Sequence, residues 1–346
     1  MYTAFSLTKV KNLNEYRMTK PVELELFEFL ESDEAQYSNT IELYDAIPKY
    51  HWGNVKRINE RYLPSLERVF EHRGKRYRVK IRPARIDDRD GVERDYYPSL
   101  REEIVEDALR KLACDGLGIF LDEQAGVTFS LYQLRKELQR MGHSYKLSAI
   151  KDALLVCANT KIEVESEDGE AIVVSSLFQI VGLKRRSDWL QHGKNSKAYV
   201  VFNPLVTFSI ISNSFRQINY VKCMSYRKNL ARWIHKRISH NYIQASLINN
   251  YTILLSTIIR DSCMKSYKEM RNNISQVESA LEEIKKSDVI IDYKTERIYG
   301  KRNNKILDAK FILSPSPEFV SEMKRANRRY QKSTTLPAQG VLSLGS

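Results

Sequence analysis

Residues 255–313 read LSTIIRDSCMKSYKEMRNNISQVESALEEIKKSDVIIDYKTERIYGKRNNKILDAKFIL, and the reading of this stretch decides the fold. A short helix with Ser256 or Thr257 as its cap opens it, Ser262, Cys263 and Met264 form a tight turn, and a longer helix follows from near Ser266. In that second helix Met270, Ile274, Val277, Leu281 and Ile284 recur at spacings of three and four, which puts them on one buried stripe. The pattern then changes to a hairpin, VIIDYKTERIYGKRNNKILDAKFIL, with Gly300, Lys301, Arg302, Asn303, Asn304 and Lys305 at its tip. Helix, turn, helix and basic hairpin, in that order, predict a winged helix.

The opposite side of the second helix carries Lys265, Ser266, Tyr267, Lys268, Arg271, Asn272 and Ser275. A helix seated in the major groove reads bases with its N-terminal residues; Arg pairs with guanine and Asn with adenine, each for roughly 1–3 kcal/mol of discrimination. Arg271 and Asn272 are therefore the expected base readers. Lys265, Ser266 and Lys268 stand where phosphate contacts are expected, and such contacts position the protein without specifying a sequence. At the wing, Lys301, Arg302 and Lys305 are expected along the backbone or in the minor groove, whose negative potential favours Arg. A solvated turn is the alternative there, and an ordinary surface helix the alternative for Arg271 and Asn272.

The charge distribution agrees with a polyanionic ligand. The formal net charge is +13, and residues 222–332 hold 23 Lys and Arg against 11 Asp and Glu, so the final third carries nearly all the excess. Upstream, Ser99 opens a helix with Leu100, Ile104, Ala108, Leu109 and Leu112 inward and Arg101, Glu102, Glu103, Glu106, Arg110 and Lys111 outward. IFLDEQAGVTFS reads as a strand entering a helix capped at Ser130 and ended at Gly142. Ser148 caps a third helix, and TKIEVES, EDG and EAIVVSSLFQIVGL make a hairpin. The order repeats that of the later stretch at a separation of roughly 125 residues, so the fold class predicted is α+β with tandem winged helices. Lys146, Ser148 and Lys151 are candidate phosphate contacts of this first unit. Its wing carries Glu163, Glu165, Glu167, Asp168 and Glu170, which repel DNA and predict contact with protein, for instance a second copy of the chain.

The predicted division is an N-terminal extension or arm (1–97), a first winged helix (98–190), a second (198–330) and a disordered tail (331–346). In the arm, Lys75, Arg76, Arg78, Lys80 and Arg82 suit a strand that either follows a phosphate backbone or is an edge kept soluble by charge. SKAYVVFNPLVTFSII reads as one or two β-branched strands leading into the second unit, whose first helix buries Leu230, Ile234 and Ile238 and displays Arg227, Lys228, Arg232, Lys236 and Arg237. SPSPEFVSEMKRANRRY is a Pro-opened helix with a basic end.

Several function classes are disfavoured. No apolar run approaches the roughly 20 residues of a membrane-spanning helix, and MYTAFSLTKVKNLNEYR lacks the apolar core of a signal peptide, so a cytoplasmic protein is expected. The cysteines Cys114, Cys157, Cys223 and Cys263 are far apart and form neither a disulfide framework nor a zinc site. There is no GxxxxGK[ST] phosphate loop. His235 and His240 lack the spacing of a metal-dependent nicking enzyme, and Asp87, Asp88 and Asp90 sit among Arg residues as a solvated turn. No cofactor, metal or catalytic step is expected.

The chain resembles the winged-helix plasmid replication initiators of the RepA kind. The resemblance spans most of residues 38–330 and is carried by YYPSLREEIVEDALRKLA, FSLYQLRKELQRMGH, FNPLVTFSI, LARWIHKRISH and LSTIIRDSCMKSYKEMRNNISQVESALEEI. It implies a second winged helix that binds repeated sites in double-stranded origin DNA, and a first that supports homodimerisation and further DNA contact. It also implies origin opening, recruitment of the host replicative helicase and initiator, and repression of the protein's own gene. A transcriptional repressor with the same fold is the alternative. Gln339, Leu342 and Leu344 in QGVLSL resemble the short peptides that dock in the bacterial sliding clamp, although Gly340 and Gly345 depart from that pattern.

Overall fold

The computed structural model describes residues 36–87, 90–169, 172–183, 197–211, 215–300 and 305–335, with side chains at all of these except 197 and 329–335. The chain enters through β1 (Tyr37–Ile41) and the short α1 (Glu42–Ala46). Strands β2 (Leu66–His72) and β3 (Lys75–Arg82) follow, then the hairpin β4 (Ala84–Asp87) and β5 (Glu93–Tyr96). Helix α2 (Leu100–Leu112) begins where the Glu102 carboxylate accepts hydrogen bonds from the Ser99 backbone N–H at 2.8 Å and its hydroxyl at 2.6 Å. A wide turn with Gly116 at φ +86° leads to β6 (Gly118–Leu121) and β7 (Gln124–Ser130).

Strand β7 runs straight into α3 (Leu131–Arg140), where Ser130 Oγ accepts the Gln133 N–H at 3.1 Å and Gln133 answers to the Ser130 N–H at 2.7 Å. Gly142, at φ +83°, ends that helix as predicted. Next come α4 (Leu147–Asn159), β8 (Lys161–Ser166), β9 (Ile172–Ser176), β10 (Phe178–Gly182) and β11 (Lys197–Phe202). Helix α5 (Pro204–Ile211), β12 (Phe215–Asn219) and α6 (Tyr220–Ser225) close the first unit. The second contains α7 (Asn229–Asn241), β13 (Tyr251–Leu254), α8 (Leu255–Asp261), α9 (Met270–Lys286), the hairpin β14 (Ile290–Tyr299) and β15 (Ile306–Pro315), and α10 (Pro317–Thr335). A strand feeding two helices and then a hairpin occurs twice, as β7-α3-α4-β8-β9 and β13-α8-α9-β14-β15. The fold is α+β, and this order of elements is consistent with tandem winged helices; β13, β14 and β15 share one sheet, whereas β7 pairs with β6 and β11 and the hairpin β8-β9 joins β3.

Two hydrophobic cores hold these elements, and the border between them falls between Met224, the last member of the first, and Tyr226, the first member of the second. The predicted start of the second unit at residue 198 is thus too early. Strand β11 pairs with β7 of the first unit, and PLVTFSII is a helix rather than a strand. Its β-branched residues are overruled by position: Pro204 suits the first helical turn, the Asn203 side chain accepts the Leu205 N–H at 2.9 Å, and Val206 and Ile210 pack into the first core.

Residues 36–97 are likewise no arm. Strand β3 is internal to the sheet β2-β3-β8-β9, so it is not an edge either. Arg78 stands opposite Glu165 and Lys80 opposite Glu163, with ion pairs Arg82–Glu163 at 3.0 Å, Arg76–Glu167 at 3.4 Å and Arg78–Glu165 at 3.8 Å. Such exposed pairs stabilise by only about 0–1 kcal/mol each, but they match the acidic hairpin with basic partners inside the chain. At the other end α10 continues to Thr335, four residues past the predicted onset of disorder at 331.

Candidate nucleic-acid interface

In the second unit Ile274, Val277, Leu281 and Ile284 of α9 are buried as predicted, with Met270 packed beside them. The helix begins at Met270, four residues later than the sequence suggests. Buried Asn273 is the reason: its Oδ1 accepts the Tyr267 N–H at 2.7 Å and its Nδ2 donates to the Tyr267 carbonyl at 2.8 Å. A side-chain amide thereby takes both backbone groups that another helical turn would pair. Lys265, Ser266, Tyr267 and Lys268 consequently lie, all exposed, on the loop before α9, while Arg271, Asn272 and Ser275 are exposed on its first turns. Gln276 Nε2 donates to the Lys265 carbonyl at 3.3 Å, which keeps the loop beside the helix, and the Lys265 ammonium sits 5.2 Å from the centre of the Tyr267 ring.

The preceding helix α8 is capped from a distance. Neither Ser256 nor Thr257 supplies the predicted cap; the Asp308 carboxylate, on the wing strand β15, accepts the Ser256 N–H at 3.0 Å and the Ser256 hydroxyl at 2.6 Å. A carboxylate there also complements the positive end of the helix. The wing is pinned to α9 by Thr295 Oγ1 donating to Glu278 and Tyr293 Oη donating to Glu282, both at 2.9 Å, which engages two acidic groups of that helix. Burial, followed by that hydrogen bond, pushes the Tyr293 hydroxyl well above its usual range. The Gly300 N–H donates to the Lys305 carbonyl at 2.8 Å and closes the tip, with Lys305 exposed; Lys301 and Arg302 lie outside the described residues. Arg297, exposed on β14 opposite Ala309, adds a cation near the tip that the sequence does not single out. Its only signal is its place three residues before Gly300.

In the first unit Lys146, Ser148 and Lys151 gather at the start of α4, the counterpart of α9. Lys146 and Ser148 are exposed and Lys151 is half-buried. The helix begins at Leu147, so Ser148 lies within its first turn and is not its cap. Gln339, Leu342 and Leu344 lie outside the described residues.

The two units meet across a seam of buried charge. The outward face predicted for α2 is closed off: Glu103, Glu106, Arg110 and Lys111 are all buried. Arg110 donates to both Asp45 oxygens at 2.8 and 2.9 Å and to Glu106 at 3.0 Å. Lys236 of α7, predicted to be displayed, reaches Asp107 at 2.7 Å and Glu103 at 3.4 Å; Arg232, also predicted to be displayed, is buried as well. Burial favours the neutral form of Asp45, but the adjoining Arg110 guanidinium outweighs it and holds the carboxyl well below its usual range. Two histidines are buried beside the seam. Burial, with Lys222 and Lys236 adding to it, lowers His235 to about 3, and burial lowers His240 to about 4 against the opposing pull of Asp45 and Glu42. His235 is hydrogen-bonded to Tyr226 Oη at 3.0 Å and His240 to Thr40 Oγ1 at 2.9 Å. Both are structural groups. Among the described residues no helix is long and apolar enough to cross a membrane, and no group of three or more His, Cys, Asp or Glu is placed to hold a metal ion.

No protein-family model matches the sequence, and no curated protein matches it significantly. Among solved structures the chain is similar to a crystal structure of RctB domains 2–3, with a TM-score of 0.47 and 11% identity over 82% of this chain and 99% of that one. A second structure of the same two domains, as selenomethionine derivatives, gives 0.47 and 10% over 78% and 95%. The Pi initiator protein in complex with iteron DNA gives 0.43 and 12% over 64% and 92%. These are likenesses of overall fold alone, at low identity.

Proposed function

We propose that the chain is a non-enzymatic initiator of plasmid replication that binds repeated sites in double-stranded origin DNA through its second winged helix. One observation carries the reading: the loop before α9 and the first turns of that helix expose Lys265, Lys268, Arg271 and Asn272 together, while Glu278 and Glu282 of the same helix are engaged by the wing. A basic loop placed to hold phosphate, followed by an Arg and an Asn placed to read base edges, is what sequence-specific major-groove binding needs. The first unit serves self-association in this reading. Its support is the sheet edge β9, where Ile172, Val173 and Val174 are 59%, 36% and 62% exposed and whose outer side pairs with no strand among the described residues. Opening of the origin, recruitment of the host helicase and initiator, and repression of the chain's own gene follow from the same proposal.

The test is a footprint on the DNA flanking the gene, combined with a plasmid whose only replicon is that gene and DNA. Protection recurring over direct repeats, together with plasmid maintenance, is the expected result. Protected sites without maintenance favour a transcriptional repressor, and an absence of sequence-specific protection contradicts DNA reading altogether.

A further inference from the structure

A cleft of about 940 Å³ opens between the loop after α1 and the helix-turn-helix of the second unit. His51 to Asn54 and Lys56 form one wall, and Ile259, Arg260 and Ser262 to Lys265 form the other. Four cations line it, Lys56, Arg68, Arg260 and Lys265, and none of the described lining residues is acidic. Two of these cations are committed to the fold. Arg68 donates to the carbonyls of Pro48 at 2.5 Å and Tyr50 at 2.6 Å and to Cys263 Sγ at 3.1 Å. Arg260 pairs with Glu71 at 2.7 Å and Asp261 at 2.6 Å. Lys56 and Lys265 are exposed on opposite walls.

The loop that carries Lys56 is held at both ends. The His51 N–H donates to the Pro98 carbonyl at 2.7 Å, Ile58 and Tyr62 exchange backbone hydrogen bonds at 2.8 and 3.0 Å, and Trp52 packs against both cores. Lys56 thus stands on a braced loop and lines the same cleft as Lys265, which belongs to the loop leading into α9. A duplex read by Arg271 and Asn272 would bring flanking phosphates to Lys265, and Lys56 lines the cleft on its other side.

We infer that Lys56 is a second DNA-backbone contact, supplied by the first unit, which with Lys265 makes a cationic seat for phosphates flanking the bases that α9 reads. The inference rests on the DNA-reading proposal and names a surface that the two winged helices alone do not contain. Its consequence is that the first unit helps bind DNA through a loop outside its own winged helix.

The test compares wild type, Lys56→Ala, Lys56→Arg and Arg271→Ala on two duplexes, one ending at the base pairs whose identity single-base-pair variants show to matter and one with about ten further base pairs on each side, roughly one helical turn. On the long duplex Lys56→Ala should lower the salt slope by about 0.9, a roughly 3.5-fold smaller change in affinity between 50 and 200 mM salt, with Lys56→Arg close to wild type. On the short duplex Lys56→Ala and wild type should coincide. Wild-type behaviour of Lys56→Ala on both duplexes, while Arg271→Ala still loses specific binding, overturns the inference and leaves the DNA reading intact. An equal loss on both duplexes with an unchanged slope also overturns it, since that marks a structural role. If Arg271→Ala is unchanged as well, the reading and the inference fall together.

Discussion

Replacing Arg110 with Met is the sharpest perturbation of the buried charge cluster that the first unit holds beside the seam. The guanidinium makes two hydrogen bonds to Asp45 and one to Glu106, and the three side chains are only 7%, 4% and 2% exposed. Met fills most of the space and keeps the helix, so the chief effect is two buried carboxylates that lose the guanidinium they share, with Lys49 at 3.9 Å from Asp45 the nearest cation left. Removal of one partner from a buried ion pair costs about 3–5 kcal/mol. The loss should also depend on pH in a stated direction. In wild type Asp45 is depressed, so its contribution is present above the unfolded carboxylate value near 3.8 and is lost as pH falls through the lower folded value. In Arg110→Met the largest offset to burial is gone and Lys49, 3.9 Å from Asp45, is the nearest cation left, so the Asp45 carboxyl titrates higher than in wild type and the deficit grows as pH rises through that interval. Urea unfolding of both proteins at pH 5 and pH 8 should therefore show a larger deficit at pH 8. Adding Asp45→Leu, Glu106→Leu and Lys49→Met should recover much of it, because buried Lys49 depends on the same carboxylates and an apolar cluster needs no counter-ion. A deficit below about 1 kcal/mol, equal at the two pH values, would refute the claim that the first unit depends on this charge cluster.

The two buried histidines predict acid sensitivity. Their folded values, about 3 and about 4, lie below the ordinary 6.5, so the unfolded chain binds more protons and stability should fall as pH drops from about 6.5 toward 4. His240→Asn should flatten that slope in urea titrations, and an unchanged slope would remove His240 as a cause. Asn273→Ala frees both backbone groups of Tyr267; affinity for the specific site should drop several-fold, with a cost in stability of about 1–3 kcal/mol, and stability loss without any change in binding would argue against the clamp's role. Gly126→Ala would place a Cβ 2.4 Å from the Val200 carbonyl oxygen, so the β7–β11 pairing must yield. Poor soluble yield or a lowering of the melting temperature by several degrees is expected, and wild-type melting would refute the packing.

Local periodicity made much of each winged helix legible. The inward stripe of α9, the Ser130 cap and the Gly142 stop follow from residues within a few positions of one another, and each is found where its pattern puts it. What escaped notice depends on partners far along the chain. Asp308 caps a helix 52 residues earlier, and Arg110 meets Asp45 at a separation of 65. A charged helix face looks solvated until the segment that covers it is known, which is why Glu103, Glu106 and Lys236 read as surface and fold as interior. The basic strand β3 and the acidic hairpin were each visible alone; their register was not. In the reading surface, Arg271, Asn272 and Ser275 were legible as helix-borne groups. The shift of Lys265 to Lys268 onto a loop depends on one side-chain amide, Asn273, that periodicity assigns no special role.

The central claim is that α9 reads bases through Arg271. Binding of wild type and Arg271→Ala to the footprinted site, to every single-base-pair variant of it and to random duplex at fixed salt measures this directly. The account predicts a loss of about 1–3 kcal/mol on the specific site, preference relaxed at one base pair, and little change on random DNA. Equal losses on specific and random DNA, with every base preference retained, would contradict it.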